Sequence, residues 1–299
     1  MVWIRPRSAL RRDSRAGPDC WWVRRGSWGR VDSEGVGKVS QEPEYHDAMV
    51  DMLELIWGRD FMAPGGEGNV DKLVRHLEIG GRRVLDIGCG LGGPAFVLAE
   101  KYGAEVVGID IDKRLIEHAR RRTGELGLEG RASFETVEPG PFPFEDREFD
   151  FVLTSGAMTQ IDDKHAFLTE CLRVLRPGGW LTCYDWMRGE HEEGQGYSED
   201  MLYWFELEGL TYAMASPSRQ LSIMREVGFE NASMEDRSAW YRREVKSEYS
   251  RVCDSLYPRL LELMSKQDVD HFVENWRAMV VVCEKGEMLQ VYSRGQKPA

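Results

Sequence analysis

The chain has 299 residues, 42% of them hydrophobic, enough to bury one sizeable core as a single α/β domain with a helical annexe. Its formal charge of −12 opposes a nucleic-acid partner, whose phosphates require a concentrated positive surface, and suits a neutral or cationic small molecule. No apolar run approaches the roughly eighteen residues of a membrane span, no secretory leader is visible, and the six cysteines are scattered without a CxxC pair or metal-ligand spacing, as expected of reduced thiols in the cytoplasm.

Residues 1–40 carry nine Lys and Arg against four Asp and Glu, plus Trp3, Trp21, Trp22 and Trp28, without helical or strand periodicity. A disordered tail is expected there, with Val36 and Val39 as alternative starts; a basic arm for an anionic partner is the other reading. Over 45–57 the spacing of Met49, Met52, Leu53 and Ile56 predicts one apolar helix face. Pro64-Gly65-Gly66 stops that helix, and a second spans 70–77.

Strands and helices then alternate: strand 83–87, helix 94–102, strand 105–109, helix 113–126, strands 132–137 and 149–154, helix 164–175 and strand 180–184. Nearly all-apolar strands between amphipathic helices predict a mostly parallel sheet covered on both faces, a doubly wound α/β architecture. Beyond Asp185 come aromatic-rich helical segments over 198–214, a helix at 217–227, a strand at 230–236, helix again over 240–281, and a last strand at 288–293.

The strongest chemical signal is Val84-Leu85-Asp86-Ile87-Gly88-Cys89-Gly90-Leu91-Gly92-Gly93, a buried strand turning sharply into a helix. Glycines at such a turn allow positive φ and let a ligand approach the backbone. Gly88, Gly90 and Gly93 satisfy GxGxxG, which alone would also fit a nicotinamide-dependent oxidoreductase. Asp86, two residues before Gly88, would repel a pyrophosphate and can face an ammonium group, which favours a sulfonium cofactor. Asp110, at the end of Val106-Val107-Gly108-Ile109-Asp110, can accept hydrogen bonds from both ribose hydroxyls, as it could in a dinucleotide enzyme. Leu172-Arg173-Val174-Leu175-Arg176-Pro177-Gly178-Gly179-Trp180-Leu181 reads as a helix stopped before a strand, and Phe149-Asp150-Phe151-Val152-Leu153 as the central strand. Capping and turn formation are the structural alternatives for Asp86 and Asp110.

In this order the segments resemble the Rossmann-like class I S-adenosylmethionine-dependent methyltransferases. Glu54-Leu55-Ile56-Trp57-Gly58-Arg59-Asp60-Phe61-Met62-Ala63-Pro64-Gly65-Gly66 is similar to the segment preceding the cofactor domain in phosphoethanolamine and sarcosine/dimethylglycine N-methyltransferases. The resemblance spans about 44–296. It implies S-adenosylmethionine as cofactor, with Tyr45, Met62, Ala63, Asp86, Gly88, Cys89, Gly90, Asp110, Ile111, Glu138 and Thr154 around it. Tyr45 stands where the phosphobase family has the tyrosine that closes over the active site. Gln160 stands where that family has a histidine, Gly156 where it has an acidic residue, and the phosphate-holding basic residues are unmatched.

Methyl transfer from a sulfonium is an in-line displacement with an activated leaving group, so alignment and exclusion of water supply much of the acceleration. A base is needed only when the acceptor arrives protonated. Tyr45 and Gln160 are therefore the catalytic candidates, Gln160 by hydrogen-bonding the acceptor. Among the many aromatics past the cofactor turn (Trp186, Tyr203, Trp204, Tyr212, Trp240, Tyr241, Trp276), Trp186, Tyr212 and Trp240 are the substrate candidates, since ring faces attract alkylammonium groups. Arg219 is the candidate clamp for a substrate carboxylate, with Arg188, Arg242 and Arg277 as alternatives. His191, among acidic neighbours, reads as part of a hydrated loop, and no metal is expected.

The expected organisation is a tail at 1–40, N-terminal helices covering the site at 41–80, the cofactor domain at 81–187, and a helical lid with closing strands at 188–299. The expected activity is methylation of a small molecule at an amine nitrogen of betaine or choline type. Alternatives are O- or C-methylation of a specialised metabolite, a nicotinamide oxidoreductase, and a binding protein without catalysis. The chain is expected to be a monomer or homodimer with no nucleic-acid or membrane partner.

Overall fold

A computed structural model describes residues 47–191, 195–210 and 212–299. Tyr45 and the 1–40 segment lie outside the described residues, so the tail reading stays an expectation. No helix among the described residues is long and apolar enough to cross a membrane.

The sheet is built from β1 (Arg83–Ile87), β2 (Glu105–Asp110), β3 (Ala132–Thr136), β4 (Phe149–Ser155), β5 (Leu175–Arg188), β6 (Glu230–Asp236) and β7 (Met288–Gln296), in the order β3-β2-β1-β4-β5-β7-β6. The first five strands run parallel to one another, and β7 is antiparallel to both β5 and β6. Alternation along β1 and β2 decides the two faces: Leu85, Ile87, Val107 and Ile109 pack with α5 (Lys164–Val174) and α7 (Pro217–Val227), whereas Val84 and Val106 pack with α2 (Gly66–Val74), α3 (Gly93–Lys101) and α4 (Lys113–Leu126). A third apolar cluster joins α1 (Asp47–Trp57) to α6 (Glu199–Glu208), α8 (Ser238–Cys253), α9 (Tyr257–Leu263) and α10 (Lys266–Glu284). Met49, Met52, Leu53 and Ile56, the face predicted from spacing, are all buried in it.

The differences from expectation sit at backbone specials. The second helix starts at Gly66 rather than 70, because Gly65 at φ 93° makes the turn and its carbonyl already accepts the Asn69 N–H. The 198–214 segment is helical only to Glu208; Gly209, at φ 65°, caps it by donating to the Phe205 carbonyl. The 240–281 run is three helices, broken where α8 ends at Cys253, Pro258 opens α9, and the Ser265 hydroxyl caps α10. Pro177-Gly178-Gly179 does not separate helix from strand. It forms an irregularity inside β5, whose pairing with β4 begins at Leu175 and resumes at Trp180.

Candidate active site

β1 is flanked by β2 on one side and β4 on the other, so its carboxyl end lies at the point where strand order reverses, the usual crevice of an open α/β sheet. The glycine turn leaves β1 here. Gly88, at φ 68°, donates its N–H to the Ile109 carbonyl at 2.9 Å, and a Cβ at this position would stand 2.4 Å from the Cβ of Ala157. Gly88→Ala is therefore expected to cost about 2 kcal/mol from left-handed backbone strain and overpacking, visible as a lower urea midpoint. Gly90, at φ 53°, lies under Met62, whose sulfur would be 2.9 Å from an added Cβ.

Asp110 ties this turn to the next loop. Its Oδ2 accepts the Gly90 N–H at 3.0 Å and its Oδ1 the Asp112 N–H at 2.9 Å, leaving further acceptor capacity toward the cavity it lines. Burial raises its pKa, against these backbone hydrogen bonds. Asp86 is 1% exposed with neither carboxylate oxygen hydrogen-bonded, and burial, then the charge of Asp110, push its pKa up to about 7. The Thr154 hydroxyl on β4 is likewise buried without a partner. Orphaned polar atoms behind a glycine cradle fit a ligand that brings its own cation and hydroxyls. Burial, then Asp110 and Asp86, push the Cys89 thiol far up, so it stays protonated.

The segment between α1 and α2 folds over the turn. Arg122 Nε donates to Asp60 Oδ2 at 3.0 Å, the Asp60 carbonyl accepts the Gly93 N–H at 3.0 Å, and Glu54 accepts the Asp60 N–H at 2.6 Å. Glu54, Asp60 and His118 bring metal-ligand-type atoms within 4.8 Å of one another, and these protein partners engage them.

A cavity of about 150 Å³ opens between the turn and the helical annexe. Met62, Gly88, Gly90, Asp110, Ile111, Gln160, Trp186 and Tyr212 all line it, and Ala63 and Cys89 line an adjoining crevice that shares Met62, Gly88, Gly90 and Ser155. Gln160 ends a short 3₁₀ turn, Met158–Gln160. Buried Lys164 pins that turn by donating to the carbonyls of Met158 (2.9 Å), Ile161 (2.9 Å) and Ala213 (2.6 Å). Burial lowers the Lys164 pKa and raises that of Asp185 beside it, each group opposing the shift of the other.

Five expected residues line neither the cavity nor the crevice: Asp86 and Thr154, which are buried behind the turn, and Trp240, Arg219 and Glu138. Trp240 is flanked by Lys72, 5.3 Å from its ring centroid, and Arg237, at 5.7 Å, with its edge against Gly65, so it props the Pro64-Gly65 turn. Arg219 is exposed on α7 and pairs with Glu226 at 3.2 Å, and Arg188, Arg242 and Arg277 are also absent from the lining. Glu138 is exposed because Val137, next to it, turns inward with its N–H on the Asp110 carbonyl. Conversely, Trp57, Trp204, Glu208, Asn275 and Trp276 do line the cavity. Glu208 was legible only as the residue one turn beyond Trp204, on the same helix face.

Residues 84–179 match the methyltransferase domain family. Phosphoethanolamine N-methyltransferase 1 of Arabidopsis thaliana is 27% identical over 272 residues, 90% of this chain and 52% of that protein, so the chain spans about half the length of this relative. The 27-O-demethylrifamycin SV methyltransferase of Amycolatopsis mediterranei (strain S699) is 30% identical over 209 residues, 66% of this chain and 76% of that protein. Among solved structures, Haemonchus contortus phosphoethanolamine N-methyltransferase 2, in complex with phosphomonomethylethanolamine and S-adenosylhomocysteine, superposes with a TM-score of 0.77 at 21% identity, covering 86% of this chain and 59% of that one. The glycine turn, the Asp110 clamp and the seven-stranded sheet thus stand within a matching sequence, and the chain belongs to the class I S-adenosylmethionine-dependent methyltransferases.

Proposed function

We propose that the protein methylates a small molecule at an amine nitrogen, with S-adenosylmethionine as the methyl donor. The observation that carries the reading is the paired arrangement of Asp110, clamping the glycine turn, and Asp86, buried behind it without a partner. Asp110 would hold the ribose hydroxyls, Asp86 would face the ammonium, and Met62, Ala63, Gly88, Cys89, Gly90, Ile111 and Thr154 would enclose the rest. S-adenosylmethionine supplies an electrophilic methyl carbon; the chain's own task is to orient the acceptor and exclude water. Gln160 would orient it by hydrogen bonds, with Trp186 and Tyr212 on the acceptor side. Among the described residues five cysteines are free, four of them buried, which supports a cytoplasmic setting. Oxygen methylation of a larger metabolite is the second reading, favoured by similarity to the rifamycin methyltransferase.

S-adenosylhomocysteine should raise the melting temperature whereas NADH should not, and a labelled-cofactor screen of amines, phenols and carboxylates should find its strongest acceptor among amines. Stabilisation by NADH alone would end the reading. Cofactor affinity should also depend on pH through Asp86. Below about 7 its carboxyl holds a proton and offers no charge to an ammonium; above that it does. Calorimetry is expected to show tighter S-adenosylhomocysteine binding at pH 8 than at pH 6, and Asp86→Asn should flatten that slope. In the ligand-free protein the sign reverses: between about pH 4 and 7 the folded state keeps a proton the unfolded chain has released, so stability falls as pH rises.

A further inference from the structure

Among the described residues three charged ones line the main cavity, Asp110, Asp112 and Glu208, and all three are acidic. The first two are engaged by backbone: Asp110 by Gly90 and Asp112, and Asp112 by the Arg114 N–H at 2.9 Å. Glu208 stands on the annexe wall, held by neutral donors. Asn275 Nδ2 donates to its Oε1 at 2.9 Å, the Tyr212 hydroxyl also hydrogen-bonds it, and Asn275 in turn accepts the Trp204 indole N–H at 3.1 Å. The titratable groups facing it are Tyr212 and, from α10, His271, whose Nε2 lies 2.8 Å from the Leu207 carbonyl. Beside it the Trp204 and Tyr212 rings stack at 5.0 Å and 13°. No lysine, arginine or histidine is among the described residues lining this cavity. A half-buried carboxylate hydrogen-bonded by neutral donors, next to aromatic faces, is a seat for an organic cation.

Resting on the methyl-transfer reading, we infer that the acceptor is a phosphate-free alkylamine entering as its ammonium, and that Glu208 binds it and takes its proton. An ammonium nitrogen has no lone pair to attack with, and Gln160, a neutral amide, does not remove a proton. Glu208 does: the N–H proton passes to its carboxylate, and the freed lone pair forms the N–C bond. The C–S bond breaks with its electrons going to sulfur, and Glu208 later releases the proton to water. Burial already raises the Glu208 pKa, which brings it nearer that of the amine. A phosphorylated amine would instead carry a dianion into a cavity whose charged walls are carboxylates.

The test uses wild type and Glu208→Gln with a panel of alkylamines and phosphoethanolamine. In the variant, kcat/KM at pH 7 should fall about 100-fold or more for the best amine and recover toward pH 9.5, as the amine deprotonates in solution, while S-adenosylhomocysteine affinity stays within about threefold. Should the variant fold poorly, tryptophan fluorescence of the wild type loaded with S-adenosylhomocysteine decides: tetramethylammonium should bind and inorganic phosphate should not. A variant whose pH profile parallels the wild type, phosphoethanolamine as the best acceptor, or phosphate binding in place of tetramethylammonium would overturn the role of Glu208 and leave methyl transfer standing. Failure of the wild type to bind S-adenosylhomocysteine at all would instead sink methyl transfer itself.

Discussion

Asp110→Ala is expected to raise the dissociation constant for S-adenosylhomocysteine by two to three orders of magnitude, roughly 3–4 kcal/mol for two lost hydrogen bonds to a charged acceptor. The loss has two parts. On the proposed binding mode the ribose hydroxyls lose their carboxylate, and the Gly90 and Asp112 N–H groups lose the oxygens that hold them at 3.0 and 2.9 Å, so the cradle loosens before the ligand arrives. Asp110→Asn separates these parts: the amide keeps one carbonyl oxygen as an acceptor while its NH₂ faces a backbone donor, and an intermediate affinity is expected. Calorimetry on folded protein is the measurement. An Asp110→Ala protein that binds within threefold of wild type would remove Asp110 from the site.

Lys164→Met should give the largest loss of stability, about 3–5 kcal/mol, the usual consequence of removing one member of a buried charged pair. Three carbonyls lose their donor and Asp185, buried at 2% exposure, loses the cation beside it. For a chain of this size that corresponds to a fall in melting temperature of roughly 5–8 °C. Because Lys164 joins the turn carrying Gln160 to Ala213, next to Tyr212, methyl transfer should fall further than the folded fraction accounts for. The double variant Lys164→Met/Asp185→Asn should recover part of the stability, since no orphaned charge remains, but not the placement of Gln160. Equal stabilities for the single and double variants would show that the Asp185 charge carries no part of the cost.

The cofactor half of the site was legible because its information is local. A strand rich in Val, Leu and Ile, a turn that requires positive φ at Gly88 and Gly90, and a carboxylate at the next strand end lie within about two dozen residues, and parallel pairing of β1 with β2 brings them together. Alternation also placed Leu85 and Val84 on opposite faces of the sheet. Helix limits shifted wherever a glycine took a left-handed backbone or a proline restarted the chain, as at Gly65, Gly209 and Pro258.

The acceptor half was not legible in the same way. Composition showed that aromatics and arginines were plentiful after Asp185, but not which of them turn inward, and so Trp240 and Arg219 were expected around a cavity that they do not line. Its wall takes Trp57 from α1, Trp204 and Glu208 from α6, and Asn275 and Trp276 from α10, brought together by the burial of a shared apolar cluster. Residue order by itself determined the strand pattern, the glycine cradle and the two acids beside it, because local steric and hydrogen-bonding rules act between near neighbours. Which carboxylate faces the acceptor was decided by tertiary structure alone, because hydrophobic burial is non-directional and selects a helix face only once all its partners are in place.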